Sequence, residues 1–268
     1  MFKDVDPKRW YAGVVEEAAK LGLMVGTAPG VFEPDKPISR AEVAAIAVRL
    51  YKATNEDFVE VIHQVLPSAV QVENFELGGL GSGTIIHPAG YVLTNHHVVS
   101  RTTQEEGQDP VTTVAKTVGF RTTELPWRYA EGPVIAWDAE RDLALCKIKL
   151  SETFLALPFG DFRKVTQAQK VIAIGSPLGL IQSVSEGVVS AIRRLNGKGP
   201  YIQTEAEINP GNSGGALVNL NGELIGVPSM KLVCTGIEGL GFAIGLPMVL
   251  DFLREKAPEI LNEIGEAS

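Results

Sequence analysis

The first 52 residues carry apolar side chains at the three- and four-residue spacing of helices. This spacing predicts one helix over residues 10–23 and a second over residues 38–50, with Ser39 as the N-cap of the second helix. Residues 26–37 between them are rich in Gly and Pro and predict a loop. We therefore interpret residues 1–52 as a small helical module.

The pattern changes in the second part of the chain. Polar residues 53–57 predict a join between domains, and residues 58–66 predict one amphipathic helix that Pro67 stops. From residue 69 onward, short β-rich runs are separated by Gly, Pro and Asn turns, for example at residues 84–86, 91–93, 171–174, 187–192 and 216–227, the last broken by Asn221-Gly222. Helical spacing returns at residues 247–264. The pattern predicts a mainly β second domain, residues 58–268, built as an antiparallel barrel or sandwich.

The composition is that of a globular protein, with 45% hydrophobic and 21% charged residues. A net charge of -8 without a local basic patch argues against a nucleic-acid partner. Two cysteines, Cys146 and Cys234, are too few for a disulfide framework and have no zinc-site spacing, so we interpret both as buried small residues. No apolar run is long enough for a transmembrane segment, and the N-terminus lacks the apolar stretch of a secretion signal.

Residues 209–215 read Asn-Pro-Gly-Asn-Ser-Gly-Gly and place Ser213 among glycines. Glycine permits backbone conformations that aim several N–H groups at one point. An oxyanion hole needs this arrangement, because its donors must already point at the developing negative charge, and losing one donor costs roughly 3 to 4 kcal/mol of barrier. Gly211 and Ser213 are the candidate donors. The alternative is a glycine-rich turn with an idle serine.

All four histidines precede Ser213: His63, His87, His96 and His97. A serine needs a neighbouring imidazole to take its proton, and α/β-hydrolases place that histidine after the serine. The order must therefore be that of chymotrypsin or that of subtilisins, and the latter need a parallel sheet that this pattern does not predict. His96 and His97 follow a predicted strand and are the candidate bases, and we expect the other member of this pair to be exposed and without a catalytic role. His63 and His87 are interpreted as solvated.

The acid that orients the base must be buried and lie between His97 and Ser213 in this order. The candidates are Asp109, Asp138, Asp142 and Asp161. Asp142 directly precedes the alternating run Leu-Ala-Leu-Cys-Lys-Ile, which predicts a position at the mouth of a buried strand. Asp109 precedes Pro110 in a polar loop. Asp142 is therefore the predicted acid, the alternative being a surface aspartate that ends a turn.

Five motifs in chain order resemble HtrA/Deg proteases: GSGTII at 81–86, YVLTNHHVV at 91–99, DLAL at 142–145, IGSPLG at 174–179 and GNSGGALVNLNG at 211–222. The resemblance runs from about residue 58 to 253 and implies a chymotrypsin-like double β-barrel. It implies His97 rather than His96 as the base, beside Asp142 and Ser213, and cleavage of unfolded or partly folded proteins by a homotrimer. No metal or organic cofactor is implied. Family members usually carry PDZ domains after the protease, and we expect none within this chain.

The resemblance assigns four residues to the primary specificity pocket: Glu207, Ile208, Lys231 and Leu232. Glu207 and Lys231 depart from the family pattern, which usually has small or aliphatic residues there. They either pair with each other and leave an apolar preference, or one of them recruits a charged substrate side chain. Ser229, on the strand expected to pair with substrate backbone, is expected to hydrogen-bond Asp142.

Residues 1–52 resemble an S-layer-homology module, with FKDV at 2–5, Trp10, LGLMVG at 21–26, FEP at 32–34 and ISRAE at 38–42. Such modules anchor proteins to pyruvylated cell-wall polysaccharide. The resemblance implies that Arg40 grips a carboxylate through its planar fork and that Trp10 stacks on sugar, the alternative being structural roles for both. A protease trimer would bring three modules together and make wall binding multivalent.

Three functions agree with these residues. The first is a serine endopeptidase displayed at the cell envelope, the second a wall-binding protein with an inactive protease-like domain, and the third a non-protein hydrolase such as an esterase. The intact set His97, Asp142 and Ser213 argues against the second, and the chain order disfavours the third. We expect an extracellular or envelope-associated protein, with a cytoplasmic location left open.

Overall fold

The computed structural model describes residues 2–105, 107, 109–122, 129–176, 183–195, 197–209, 211–229 and 241–264, and only the backbone of residues 51–57. The chain divides into two compact units, Met1–Glu60 and Val61–Ser268. Lys231, Leu232 and Cys234, which the sequence singles out, lie outside the described residues.

Two helices begin in the first unit. Helix α1 spans Ala12–Lys20 and ends before Gly22, whose φ of 68° is the left-handed conformation common after helices. Helix α2 spans Arg40–Val65 and starts with a capping box. Ser39 Oγ accepts from the Glu42 N–H at 3.2 Å, and the Glu42 carboxylate accepts from the Ser39 N–H at 2.7 Å. The prediction of Ser39 as N-cap is confirmed.

The prediction of two separate helices on either side of the polar join at residues 53–57 is wrong, because helix α2 runs through the join without a break. The sequence between Arg40 and Val65 contains neither Gly nor Pro, so the weak helix preference of Asn and Asp in residues 53–57 is not enough to end the helix. The predicted stop at Pro67 is confirmed, since α2 ends at Val65 and a single 3₁₀ turn follows. The domain boundary between residues 52 and 58 stays a prediction.

The first unit is tied together by polar contacts more than by a core. The Asp4 carboxylate accepts from the backbone N–H groups of Phe32 at 2.9 Å and Glu33 at 2.6 Å, which anchors the loop before α2. Among the described side chains of residues 2–50, Val15 alone is buried. Large apolar side chains remain at least half exposed, namely Trp10, Val14, Leu21, Val25, Ile38, Val43, Val48 and Leu50.

The second unit contains two closed, six-stranded antiparallel barrels. The strands of its first half are β1 Ala69–Asn74, β2 Gly79–His87, β3 Tyr91–Thr94, β4 Ser100–Thr103, β5 Val111–Val114, β6 Thr117–Arg121, β7 Ala130–Asp138 and β8 Leu143–Lys147. The first barrel has the order β1-β2-β3-β8-β7-β6, and β4 and β5 pair with each other beside it. The strands of the second half are β9 Lys170–Gly175, β10 Ser183–Leu195, β11 Lys198–Thr204, β12 Ala216–Asn219, β13 Leu224–Pro228 and β14 Gly241–Gly245. The second barrel has the order β10-β11-β14-β13-β12-β9.

Alternating apolar side chains fill each barrel, as the strand patterns predict. The first core includes Val72, Ile85, Val92, Phe120 and Cys146, and the second includes Val171, Val189, Ile202, Leu217 and Ile225. Gly83 lies where a side chain would come within 2.5 Å of Val92 Cγ1 and 2.9 Å of Val72 Cγ2, so only glycine fits inside the first barrel. The mainly β fold with a helical first module is confirmed.

The C-terminal segment forms two helices where one helical stretch was predicted. Helix α4 spans Leu246–Lys256 and helix α5 spans Pro258–Ile264. The break falls at Ala257 because the residue before a proline is disfavoured in the helical conformation. Helix α4 packs against β11, β13 and β14 of the second barrel and also contacts β7 of the first, and α5 packs against β2 of the first. These helices therefore connect the two barrels.

Candidate active site

His97 and Asp142 meet at the rim of the first barrel. His97 lies on the one-turn helix α3, His96–Val99, which directly follows β3. The Asp142 carboxylate lies 2.8 and 3.0 Å from His97 Nδ1 and accepts the His97 backbone N–H at 3.1 Å. Because a carboxylate only accepts, Nδ1 carries the proton and Nε2 has the lone pair that can take one.

Asp142 adopts a backbone conformation that is rare outside glycine, with a φ of 57°. Two contacts hold its carbonyl oxygen, from Asn95 Nδ2 at 2.8 Å and from the His96 N–H at 3.2 Å. Its side chain is buried at the start of β8, as the alternating run predicts. The alternative of a surface aspartate is wrong.

Burial and hydrogen bonding act in opposite directions on the Asp142 carboxyl. Burial raises its pKa, but the hydrogen bond and charge of His97 and the hydrogen bond of Ser229 outweigh burial and leave the pKa below its ordinary value. Ser229 Oγ donates to Asp142 Oδ2 at 2.8 Å, which confirms the contact predicted from the sequence. The carboxylate is therefore ionised and oriented by two partners.

His96 is not the exposed side chain that we expected for one histidine of this pair. It is 4% exposed, and its ring Nδ1 lies 3.4 Å from Ser100 Oγ. Successive residues of a helix point about 100° apart, so the start of α3 turns His96 into the protein while His97 faces Asp142. His87 also differs from the prediction of a solvated side chain, because its Nε2 lies 3.1 Å from Glu263 Oε2 on α5.

Ser213 lies in a tight loop of the second barrel that touches the first. Gly211 has a φ of 104° and Gly214 a φ of 84°, both in the region that favours glycine. A side chain at Gly214 would come within 2.3 Å of Ser82 O and 2.9 Å of Asn95 N. The Ser213 carbonyl accepts the Ser82 N–H at 2.9 Å. The loop thus requires glycine both for its turn and for its close approach to the first barrel.

Sequence reasoning missed Ser82, which joins the Ser213 loop to β2. Its buried hydroxyl donates to the Gly211 carbonyl at 2.5 Å and accepts the Ser176 N–H at 2.7 Å. It also missed Asn95, whose side chain holds the Asp142 carbonyl. Both residues lie within the quoted motifs, at positions 82 and 95, but nothing in a linear pattern shows which atom such a side chain reaches.

Two of the four predicted pocket residues are described. Ile208 packs against the second core and lies over Gly241, where a side chain would come within 2.7 Å of Ile208 Cγ1. The Glu207 side chain is exposed and accepts from Asn209 Nδ2 at 3.3 Å. Its carbonyl accepts from Asn212 Nδ2 at 3.1 Å, one residue before Ser213. Lys231 and Leu232 lie outside the described residues, so their relation to Glu207 stays a prediction.

The two predicted wall-binding residues lie at the surface of the first unit. Trp10 is 85% exposed and contacts Tyr11 edge-on, with ring centroids 5.7 Å apart. Arg40 is exposed at the first position of α2. A role for Trp10 in the core of the unit is therefore wrong, and the binding roles of both residues stay predictions.

Other candidate chemistry is limited within the described residues. No group of three or more His, Cys, Asp or Glu side chains there could hold a metal ion. Burial raises the pKa of the Cys146 thiol to about 12, so this cysteine is an inert core residue, as predicted. In the described part of the chain, none of the helices combines the length and apolarity needed to span a membrane.

Comparison with known proteins identifies the family of the chain. A model of the trypsin-like peptidase domain matches residues 81–227, more than half of the chain. Serine endoprotease DegS of Salmonella typhimurium is 32% identical over 269 residues, which cover 91% of this chain and 70% of that protein. The chain belongs to the HtrA/Deg family of trypsin-like peptidases. A model of the S-layer homology domain matches residues 2–44 of this family member. Both resemblances in the sequence are confirmed.

Other HtrA/Deg relatives are longer than this chain. The probable periplasmic serine endoprotease DegP-like of Halomonas elongata is 34% identical over 90% of this chain but only 48% of its own length. Periplasmic pH-dependent serine endoprotease DegQ of Escherichia coli is 37% identical over 70% of this chain and 39% of its own. The chain therefore spans about half or less of these relatives. The crystal structure of the serine endoprotease from Yersinia pestis matches 75% of this chain and 67% of its own, with 31% identity and a TM-score of 0.61, which confirms the chymotrypsin-like double barrel.

Replacement of Asp142 by asparagine is expected to make the free energy of unfolding less dependent on pH under acid conditions. Because the folded-state pKa of Asp142 is lowered, its carboxylate stabilises the fold fully above the ordinary value of about 4, and this contribution is lost as the pH falls through the lowered pKa. The free energy of unfolding, measured by urea at stepped pH, should therefore fall more steeply towards acid pH in the parent protein than in Asp142→Asn. Asp109→Asn, in an exposed loop, is the control. A difference in the free energy of unfolding between the parent and Asp142→Asn that does not change with pH would contradict the prediction.

Proposed function

We propose that this chain is a serine endopeptidase of the HtrA type, with Ser213 as nucleophile, His97 as general base and Asp142 as the residue that orients the base. The contact that carries the proposal is the buried Asp142 carboxylate, 2.8 Å from His97 Nδ1. The Ser213 loop supports it, because Ser213 O and Gly211 O are both hydrogen-bonded to Ser82 of the barrel that holds His97. The serine endoproteases named among the relatives add further support.

The reaction begins when His97 Nε2 takes the proton from Ser213 Oγ, which attacks the carbonyl carbon of the scissile peptide bond. Asp142 stabilises the imidazolium that forms. The backbone N–H groups of Gly211 and Ser213 are the proposed donors to the oxygen of the tetrahedral intermediate. His97 then gives its proton to the leaving amine, and the acyl group remains on Ser213 until water, activated by the same imidazole, releases it.

Ser213→Ala is expected to abolish proteolysis and covalent labelling. Loss of the nucleophile should reduce turnover of a fluorescent denatured protein by roughly a millionfold, and a fluorophosphonate probe should label only the parent chain. Ser151→Ala, at an exposed position between β8 and β9, is the matched control and should cleave and label like the parent. Parent protein that turns over a small ester but no denatured protein would favour the esterase, and parent protein that neither cleaves nor labels would favour the wall-binding alternative.

We further propose that Glu207 gives the primary specificity pocket a preference for a cationic substrate side chain. Its carboxylate is exposed, and its backbone is held beside the Ser213 loop through Asn212. Ile208 would form an apolar wall for the aliphatic part of a lysine or arginine, with Lys231 and Leu232 completing the pocket. An exposed carboxylate attracts a cation only modestly in water, and a bound substrate that covers Glu207 would lower the local dielectric and strengthen that attraction.

A peptide-library cleavage profile tests this pocket. The parent should prefer lysine or arginine on the acyl side of the cleaved bond. Glu207→Gln should lower kcat/KM for those peptides up to about fivefold, as expected for the loss of one exposed charge pair, and should leave kcat/KM for aliphatic peptides nearly unchanged. Glu205→Gln, an exposed neighbour, is the matched control. A purely small-aliphatic profile in the parent, in Glu207→Gln and in Lys231→Ala would show that no charge in this pocket recruits substrate.

We also propose that the enzyme forms a homotrimer held at the cell envelope by its S-layer homology domains, with cell-wall polysaccharide as the partner of Trp10 and Arg40. The exposed indole of Trp10 and the exposed guanidinium of Arg40 are compatible with sugar stacking and carboxylate binding. The first unit has a single buried side chain among those described in residues 2–50, which supports association between copies of this unit. Three modules in one particle would bind a wall polymer multivalently.

Arg40→Ala is expected to release the protein from purified cell walls without changing its mass or turnover. Co-sedimentation with walls measures binding, and light scattering at micromolar concentration measures the particle mass, which should be three chains. Arg9→Ala, next to Trp10, should sediment like the parent. A particle of one chain would exclude the trimer, and equal sedimentation of Arg40→Ala and parent would exclude the role of Arg40.

A further inference from the structure

Arg141, the residue before Asp142, joins two distant parts of the second unit. Its Nη1 donates to Asp138 Oδ2 at 2.7 Å and to Glu255 Oε2 at 2.8 Å, and its Nη2 donates to Glu255 Oε1 at 2.6 Å. The contact with Glu255 is thus bidentate, a geometry that the planar guanidinium fixes in direction as well as distance. Glu255 lies 114 residues further along the chain, on helix α4.

The turn that Arg141 belongs to is under conformational constraint. Asp142 has a φ of 57°, in the left-handed region that is unfavourable for a residue with a side chain. Such a conformation persists only where surrounding contacts hold it. In the residues that precede Asp142, Asp138 Oδ1 accepts hydrogen bonds from the backbone N–H groups of Glu140 at 2.8 Å and Arg141 at 2.9 Å. Arg141 therefore fixes the turn through both its backbone and its side chain.

Glu255 lies on a helix that packs mainly on the second barrel. Helix α4 directly follows β14, buries Val249, Phe252 and Leu253, packs against strands β11, β13 and β14, and also contacts β7 of the first barrel. Asp142 and His97 belong to the first barrel, whereas Ser213 belongs to a loop of the second. The Arg141–Glu255 ion pair consequently connects the turn that carries Asp142 to the barrel that carries Ser213.

We propose that Arg141 is a positioning residue. Its ion pair with Glu255 fixes the position of the turn that carries Asp142 relative to the second barrel and so aligns His97 with Ser213. This inference rests on the proposed function. Small displacements of reacting groups reduce turnover strongly, and a shift of about 1 Å can cost a hundredfold. An ion pair that is half exposed on the Glu255 side contributes little to stability by itself, so its loss should change turnover more than folding.

Steady-state kinetics per active site test the proposal, with active sites counted by fluorophosphonate titration. Arg141→Ala and Glu255→Ala should each lower kcat about tenfold at unchanged KM. The double variant should lose no more than Arg141→Ala, because Glu255→Ala removes only a contact that Arg141→Ala already removes. Arg141→Lys, which reaches one carboxylate oxygen but not both, should recover part of the loss. Arg254→Ala, whose guanidinium pairs with Asp251 at 2.7 Å on the same helix, is the matched control and should equal the parent.

A second readout does not depend on turnover. The proton resonance of His97 Nδ1–H reports its hydrogen bond to Asp142, and it should shift or broaden in Glu255→Ala but not in Arg254→Ala. A Glu255→Ala variant with parental kcat and an unchanged resonance would overturn the proposal, as would independent, multiplicative losses in the double variant. If Arg141→Ala does not fold, Glu255→Ala carries the test, since that side chain is half exposed. A parent protein without turnover contradicts the proposed function, while the resonance still tests the positioning role.

Discussion

The site depends on a carboxylate that is removed from water between two barrels. Burial alone would favour the neutral form of Asp142, but the hydrogen bonds from His97 and Ser229 keep it ionised. His97 comes from the first barrel and Ser229 directly follows β13 of the second. The charge of Asp142 can therefore be accommodated only when both barrels are in place, which makes the site a property of their packing.

The close approach of the barrels explains several residues that have no chemistry of their own. Gly214 leaves room for the backbone of Ser82 and Asn95, and Ser82 uses its hydroxyl as donor and acceptor to join the Gly211 carbonyl to the first barrel. The C-terminal helices also join the barrels, since α4 packs on the second barrel and contacts β7 of the first, and α5 packs on β2 of the first. Polar contacts at this boundary are specific in direction, whereas the apolar cores on either side are not.

The first unit is stabilised in a different way from the two barrels. A small unit buries too little apolar surface to form a large core, and the capping box of α2 and the Asp4 contacts with the following loop supply local order instead. Its apolar side chains, Trp10 among them, remain accessible. Accessible apolar surface of this extent is typical of a module that works together with other copies or with a ligand.

The sequence by itself predicted the mainly β character, several of the strands and the chemical candidates. Alternation and helical spacing are local, so those strands, the Ser39 cap and the burial of Asp142 followed from neighbouring residues. The order of histidine, aspartate and serine excluded the α/β-hydrolase arrangement. The predicted separation of two helices at the polar join, residues 53–57, is wrong because weak local preferences do not end a helix that lacks Gly and Pro.

Only the tertiary structure decided which atoms meet. His96 and His97 are neighbours in sequence, and it is the turn of α3 that sends one into the protein and the other to Asp142. Ser82 reaches Gly211 across 129 residues, and Arg141 reaches Glu255 across 114. Contacts of this separation depend on how two closed barrels pack, and no local spacing encodes the distance between atoms that only folding brings together.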